Sequence, residues 1–220
     1  MKILIIGITG RLGKRIAGEL LKKGHEVSGV NRRAARVPVV LGGLDIQTSV
    51  ADTSDYNDIL KCVTGADVVV LATAPTRENP DAYLEHNRNV IDAVKAAGVP
   101  RLIALSNYKA LRAPDGRSML EAEPPHPYFY DIEAVFAKEA ALFRNELDLD
   151  WLLVAPPAEL YPYGEVTRQY RVSKEMLLVS DPANTAYKDV STLSMEDFAA
   201  FIADEIEQPS HHRELVTLAY

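Results

Sequence analysis

Residues 2–13 read KILIIGITGRLG, and this stretch decides the fold. The aliphatic run from Ile3 to Ile8 suits a strand at the centre of a sheet, buried on both faces. After it Leu12, Ile16, Ala17, Leu20 and Leu21 recur at helical spacing, Arg11, Lys14, Arg15, Glu19, Lys22 and Lys23 fall on the other face, and Gly24 is a left-handed stop. Strand passes to helix through Gly7-x-x-Gly10-x-x-Gly13. A tight turn, a backbone close enough to touch a pyrophosphate and a helix packed hard on its strand each require a missing side chain. The helix N-terminus behind the glycines offers free amides and positive partial charge to phosphates. The turn therefore predicts a dinucleotide site that uses Gly7, Thr9, Gly10, Arg11, Leu12 and Gly13.

The same alternation of apolar run and amphipathic stretch continues outward, as in βαβ units around a parallel sheet. Strands are expected at Glu26–Asn31, at Leu44–Val50 after a Gly42-Gly43 turn, at Asp67–Thr73, at Arg101–Ser106 and at Asp150–Ala155. Ser54 is the expected cap of a helix reaching Val63, and Asn79-Pro80 the start of one that carries Leu84, Ile91 and Val94 inward as far as Gly98. Residues 107–129 hold Pro114, Gly116, Pro124, Pro125 and Pro127 and read as a long loop, followed by a helix from about Tyr130 to Glu146. In the last third, Tyr170–Val179 is loosely strand-like, Ser194 caps a helix with Phe198, Phe201, Ile202 and Ile206 inside, and Leu215–Leu218 suits an edge strand.

The chain has 220 residues, 47% of them hydrophobic, with 24 basic against 31 acidic side chains for a net charge of -7. That size and balance fit one folded domain and exclude disordered, collagen-like and disulfide-scaffold classes; a lone cysteine, Cys62, cannot pair internally. An acidic chain lacks the clustered positive charge that nucleic acid or an anionic membrane needs. A small-molecule partner, a cytoplasmic location and a monomer or homodimer are the expectations. About 1–155 should form the core sheet, and about 156–220 a small lobe on the substrate side. His211 and His212 are adjacent, so their rings point apart, and no metal is expected.

The end of the second strand normally carries an acid for the ribose of NAD. Here it reads Asn31-Arg32-Arg33, which replaces the acid with two guanidinium groups suited to a 2'-phosphate, so NADP(H) is expected over NAD(H). The G-x-x-G-x-x-G spacing with Thr9-Gly10 inside it resembles the extended and atypical members of the short-chain dehydrogenase/reductase superfamily. That resemblance implies that Asp52 and Thr53 lie near the adenine, the alternative for Asp52 being a helix-entry residue beside Ser54, and Ala72, Thr73 and Ala74 near the ribose and nicotinamide. Ser106 takes the position of the superfamily's serine and is the candidate catalytic residue. The expected Tyr-x-x-x-Lys pair is missing, because the residue four before Lys138 is Ala134; Tyr170-x-x-x-Lys174 matches in letters only, in a segment read as extended.

Without that phenol a carbonyl oxygen loses its usual proton donor, whereas a conjugated acceptor spreads the incoming charge. The late run Asp150-Trp151, Ala155-Pro156-Pro157-Ala158, Tyr170-Arg171, Leu177-Leu178, Ser194-x-Glu196-Asp197-Phe198-Ala199, Asp204-Glu205-Ile206-Glu207 and Pro209 resembles the NAD(P)H-binding proteins described as NADH-flavin reductases, relatives of flavin and biliverdin reductases. The resemblance spans the chain. It implies a Rossmann-like, doubly wound parallel α/β sheet with a small carboxyl-terminal lobe, Pro156 and Pro157 beside the nicotinamide, and Ser106, Asn107 and Tyr108 along the acceptor pocket. A flavin-like acceptor is the first expectation; the alternative is an NmrA-like regulator that binds NADP without turnover. Tyr128-Phe129-Tyr130 could stack on a planar acceptor or pin the long loop.

Overall fold

The computed structural model describes residues 1–33, 39–41 and 44–220. In chain order the elements are β1 (Lys2–Ile6), α1 (Arg11–Lys22), β2 (Glu26–Asn31), β3 (Val39–Leu41), β4 (Leu44–Val50), α2 (Tyr56–Val63), β5 (Val68–Leu71), α3 (Ala82–Ala96) and β6 (Arg101–Leu105). There follow α4 (Met119–Ala122), α5 (Tyr130–Arg144), β7 (Asp150–Ala155), β8 (Glu159–Tyr161), β9 (Arg171–Lys174), α6 (Tyr187–Val190), β10 (Thr192–Ser194), α7 (Met195–Glu207) and β11 (Glu214–Ala219).

The main sheet has the order β3-β4-β2-β1-β5-β6-β7-β11-β9 among the described residues. The seven strands from β4 to β11 in that order are parallel, and only the flanking β3 and β9 run antiparallel to their neighbours. This is the doubly wound, Rossmann-like arrangement: the chain winds outward from β1 through β2 to β4, then returns to place β5 on the other side of β1. β8 and β10 pair in a separate two-stranded sheet.

Alternation within each buried strand builds two cores. Leu4 and Ile6 of β1, Val69 and Leu71 of β5 and Trp151 and Leu153 of β7 face α2, α3 and α5, where Ile59, Val90, Val94, Phe136 and Phe143 cover them. Ile3 and Ile5, Val68 and Val70, and Leu152 and Val154 face the other way, under Ile16 and Leu20 of α1 and Phe198 and Ile202 of α7. Strands apolar on both faces are what a parallel sheet between helical layers demands.

Several boundaries differ from the sequence reading. α2 is capped by Asp55, whose carboxylate accepts from the amides of Asn57 (2.9 Å) and Asp58 (3.1 Å), one residue beyond Ser54, whose own amide donates to Asp52 Oδ1 at 3.0 Å. α3 starts at Ala82 rather than Pro80, although Asn79 Oδ1 still accepts from the Ala82 amide at 3.2 Å. Leu215–Leu218 belongs to an interior strand: β11 lies between β7 and β9, and from Leu215 to Ala219 it is buried. The strand expected over Tyr170–Val179 is confined to Arg171–Lys174 and ends where Glu175 turns to a φ of 58°. β3 adds a hairpin that periodicity had not marked, and the Gly42-Gly43 turn lies outside the described residues. Of residues 156–220, β11 and α7 join the main sheet and its α1 face, while β8 and β10 stand apart.

Candidate functional site

At the carboxyl ends of the parallel strands, where the winding reverses beside β1, a cleft of about 550 Å³ opens. Gly7 forms its floor with φ 91°, and a Cβ there would lie 2.4 Å from the Ala72 carbonyl oxygen. A Cβ on Gly13 would lie 2.4 Å from the Gly7 carbonyl oxygen, so glycine lets α1 seat on the turn. Gly10 caps α1 with no side-chain hydrogen bond to its first amides, which leaves the helix N-terminus to whatever enters the cleft.

Asn31 is 4% exposed and lines the cleft, yet among the described residues neither its Nδ2 nor its Oδ1 has a partner. A buried amide without partners is costly, and a ligand with hydroxyls or phosphate oxygens would satisfy it. Arg32 and Arg33 line the same end with their side chains exposed. The glycine cradle, the orphaned amide and the two guanidinium groups together fit a dinucleotide.

Of the residues expected from sequence, Gly7, Thr9, Gly10, Asn31, Arg32, Arg33, Thr53, Ala72, Thr73 and Ala74 meet in this cleft. Others do not line it. Leu12 packs toward the α1–α7 core and the Arg11 carbonyl accepts from Arg15. The Asp52 carboxyl is held below the usual range, chiefly by the Ser54 amide. Pro156 and Pro157 follow β7, and Ser106 follows β6, whose end lies beside that of β5. Asn107 Oδ1 caps a short 3-10 turn by accepting from the Lys109 amide at 2.9 Å, and the Tyr108 hydroxyl donates to Glu123 at 2.8 Å. Buried Lys109 reaches the same Glu123 at 2.8 Å, so this part of the long loop is folded down by its own polar groups.

Sequence reasoning missed the other wall of the cleft, which carries Pro75, Thr76, Asn79, Ala82, Tyr83 and His86. It also missed a buried cluster behind that wall. Glu139 of α5 is 0% exposed; its Oε1 accepts from Tyr83 Oη (2.7 Å) and Asn87 Nδ2 (2.9 Å), and its Oε2 accepts from Ser106 Oγ (2.5 Å). Burial pushes the Glu139 carboxyl up from 4.5 to about 7, against the pull of those three donors. Burial and the facing carboxylate push the Tyr83 phenol well up. A signal was present in the sequence: an acid between Phe136 and Phe143 on an apolar helical face, and a Tyr-x-x-x-Asn pair on the buried stripe of α3.

Neither member of the nearest Tyr and Lys in α5 turns toward the cleft. Tyr130 is exposed, and Lys138 pairs with Asp81 at 2.8 Å on the surface. Lys174 pairs with Glu214, and Tyr170 packs edge-on against Phe201. Tyr128 and Phe129 stand 5.0 Å apart edge to face, with the Arg77 guanidinium 3.5 Å over the Tyr128 ring, next to cleft-lining Thr76. His211 faces Glu205 and His212 faces Asp150; among the described residues no three candidate ligands gather for a metal. Nor, among those residues, is any helix long and apolar enough to cross a membrane.

Similar proteins share this architecture. YwnB of Bacillus subtilis, an uncharacterized protein, is 26% identical over 99% of this chain and 98% of its own length. A 2-alkyl-3-oxoalkanoate reductase of Stenotrophomonas maltophilia is 31% identical over 92% of this chain, which spans 66% of that enzyme. A candidate epimerase of Bacteroides thetaiotaomicron superposes with a TM-score of 0.85 at 27% identity, over 100% of this chain and 96% of that one. A candidate NADH-flavin reductase of Streptococcus pneumoniae has the same fold, with a TM-score of 0.79 at 24% identity over 100% and 99% of the two chains. So has a short-chain dehydrogenase/reductase of Veillonella parvula in complex with NADP, at 0.74 and 15% over 100% and 94%. The family described as NAD(P)H-binding matches residues 7–209, from the first glycine of the turn to the end of the last helix, and the chain belongs to it.

Proposed function

We propose that the protein is an NADP(H)-preferring reductase that passes hydride to a flavin or another conjugated small-molecule acceptor. The observation that carries this reading is the outward turn of Tyr130 and Lys138, which leaves α5 without the phenol–ammonium pair that carbonyl reduction would use, while Tyr108 and Lys109 after β6 are both tied to Glu123. When bound, the nicotinamide supplies the hydride. The amides at the start of α1 and the bare floor at Gly7 and Gly10 hold the pyrophosphate, Asn31 hydrogen-bonds the ribose, and Arg32 and Arg33 face the 2'-phosphate. Ala72, Thr73 and Ala74 keep the strand end low, so that a flat ring can lie against it. Ser106, Asn107 and Tyr108 border the acceptor, and Ser106 offers it a hydroxyl. The aromatic pair Tyr128–Phe129, braced by Arg77 at the cleft mouth, supports a planar acceptor.

The test mixes the purified protein with NADPH and, separately, FMN, riboflavin and a quinone, and follows nicotinamide absorbance. Turnover above the uncatalysed rate with at least one of them is expected. Tight NADPH binding by calorimetry with background rates throughout would overturn the reductase reading and favour a nucleotide-sensing regulator.

A further inference from the structure

Glu139 is enclosed, and among the described residues no cation faces it. Its neighbours are Tyr83 and Asn87 from α3 and Ser106 after β6, all neutral donors. Lys138, next to it on α5, turns outward to Asp81, and Lys109 is taken by Glu123 and Glu133. As a mere tie between α3, α5 and β6 a carboxyl is a poor choice, since an amide could hold the same neighbours without desolvating a charge.

The division of bonds between its two oxygens suits another role. Oε1 holds Tyr83 and Asn87, whereas Oε2 holds Ser106 alone at 2.5 Å. A proton on Oε2 leaves both Oε1 bonds in place and reverses the third: Oε2–H donates to Ser106 Oγ, and the serine's own hydrogen is freed to turn toward the acceptor. We propose that Glu139 supplies, through Ser106, the proton that reduction of the acceptor requires, in place of the missing tyrosine and lysine. This rests on the reductase reading above.

The step balances. As the hydride electron pair reaches the acceptor, the Ser106 O–H bond breaks and its proton bonds the acceptor's nitrogen or oxygen. The Glu139 Oε2–H bond breaks in turn to restore the hydroxyl, leaving a carboxylate. The nicotinamide is oxidised by two electrons, and the acceptor is reduced by two and gains one hydride and one proton. Water returns the proton along the same path through half-buried Ser106 once the product leaves. With the carboxyl pushed up to about 7, the acid form is available near neutrality. Glu139 is thus a positioning residue that acts through Ser106.

The experiment compares wild type, Glu139→Gln and Ser106→Ala, using whichever acceptor turns over. The wild-type kcat should fall as pH rises through about 7, because the proton leaves the store. Glu139→Gln should lower kcat at acid pH by about 100-fold, the lower range for positioned proton transfer, while KM for the acceptor moves little and the pH inflection disappears. His86 is a second titratable group on the cleft wall, so the inflection should survive His86→Gln. An independent readout needs no nucleotide: infrared spectra should show a buried carboxylic acid band that titrates near 7 in wild type and is missing in Glu139→Gln. An active wild type whose rate and pH profile are unchanged in Glu139→Gln overturns the relay alone. A wild type idle with every acceptor overturns the reductase reading and the relay with it. Should Glu139→Gln melt early, Ser106→Ala carries the decision: it should lose rate by a similar factor yet keep the infrared band, and an undiminished rate overturns the proposal.

Discussion

Replacing Glu139 by Gln should make the fold more stable at alkaline pH and change it little in acid. Unfolded, this carboxyl ionises near 4.5; folded, it does so at about 7. Below about 4.5 both states carry the proton. As pH rises the unfolded chain releases it first, so stability is lost progressively until the folded group also ionises. The gap between the two values is worth about 3 kcal/mol. Glutamine stands in for the protonated acid, because its oxygen keeps Tyr83 and Asn87 while its amide donates to Ser106. Urea unfolding followed by circular dichroism at about pH 5 and about pH 8 should therefore show a stability difference between variant and wild type that grows by about 2.5 kcal/mol in the variant's favour, most of the full gap. In a domain of this size that is about 8 °C in Tm. A difference equal at both pH values would refute the argument, since it would mean that Glu139 ionises alike in both states.

Three further outcomes are expected. Gly13→Ala places a Cβ 2.4 Å from the Gly7 carbonyl oxygen, so α1 must lift; a loss of about 2 kcal/mol in denaturant unfolding and at least about tenfold weaker nucleotide binding in calorimetry should follow. Arg32→Ala combined with Arg33→Ala should weaken NADPH binding about tenfold or more and NADH binding under about twofold, and equal losses would remove the 2'-phosphate assignment. Arg101, 5% exposed, bonds Asp150 at 2.6 Å and Glu205 at 3.3 Å; Arg101→Met removes those bonds but leaves His212 on Asp150 and Ser210 and His211 on Glu205, so it should cost about 2 kcal/mol by chemical denaturation.

The parallel sheet was legible because its strands are apolar on both faces and its helices on one: Ile3–Ile6, Val68–Leu71 and Asp150–Ala155 lie where their composition puts them. The glycine turn was legible because glycine there answers a local demand, a positive φ at Gly7 and close contact at Gly13. The far wall of the cleft was not. Tyr83 and His86 reach it through the docking of α3, and Glu139 meets Tyr83 across 56 residues of sequence, a closeness that tertiary packing alone creates. The capping of α2 was misplaced by one residue for a local reason, since Ser54 and Asp55 are neighbouring cap formers and Asp55 takes the amides of Asn57 and Asp58. β11 was read as an edge because its apolar run is short, and its partner β9, exposed along most of its length, gave little signal of its own.

The direction of the strands fixes how the molecule can be handled. β1 begins at Lys2 on the edge of the sheet opposite the cleft, while β11, parallel to β7, finishes at Ala219 on the same edge as the cleft. A tag or surface linker joined ahead of Met1 therefore emerges at the end of the sheet away from the cleft, whereas one joined after Tyr220 emerges at the cleft end, four strands along from β1. Immobilised through its amino end, the protein would present its open face to solution.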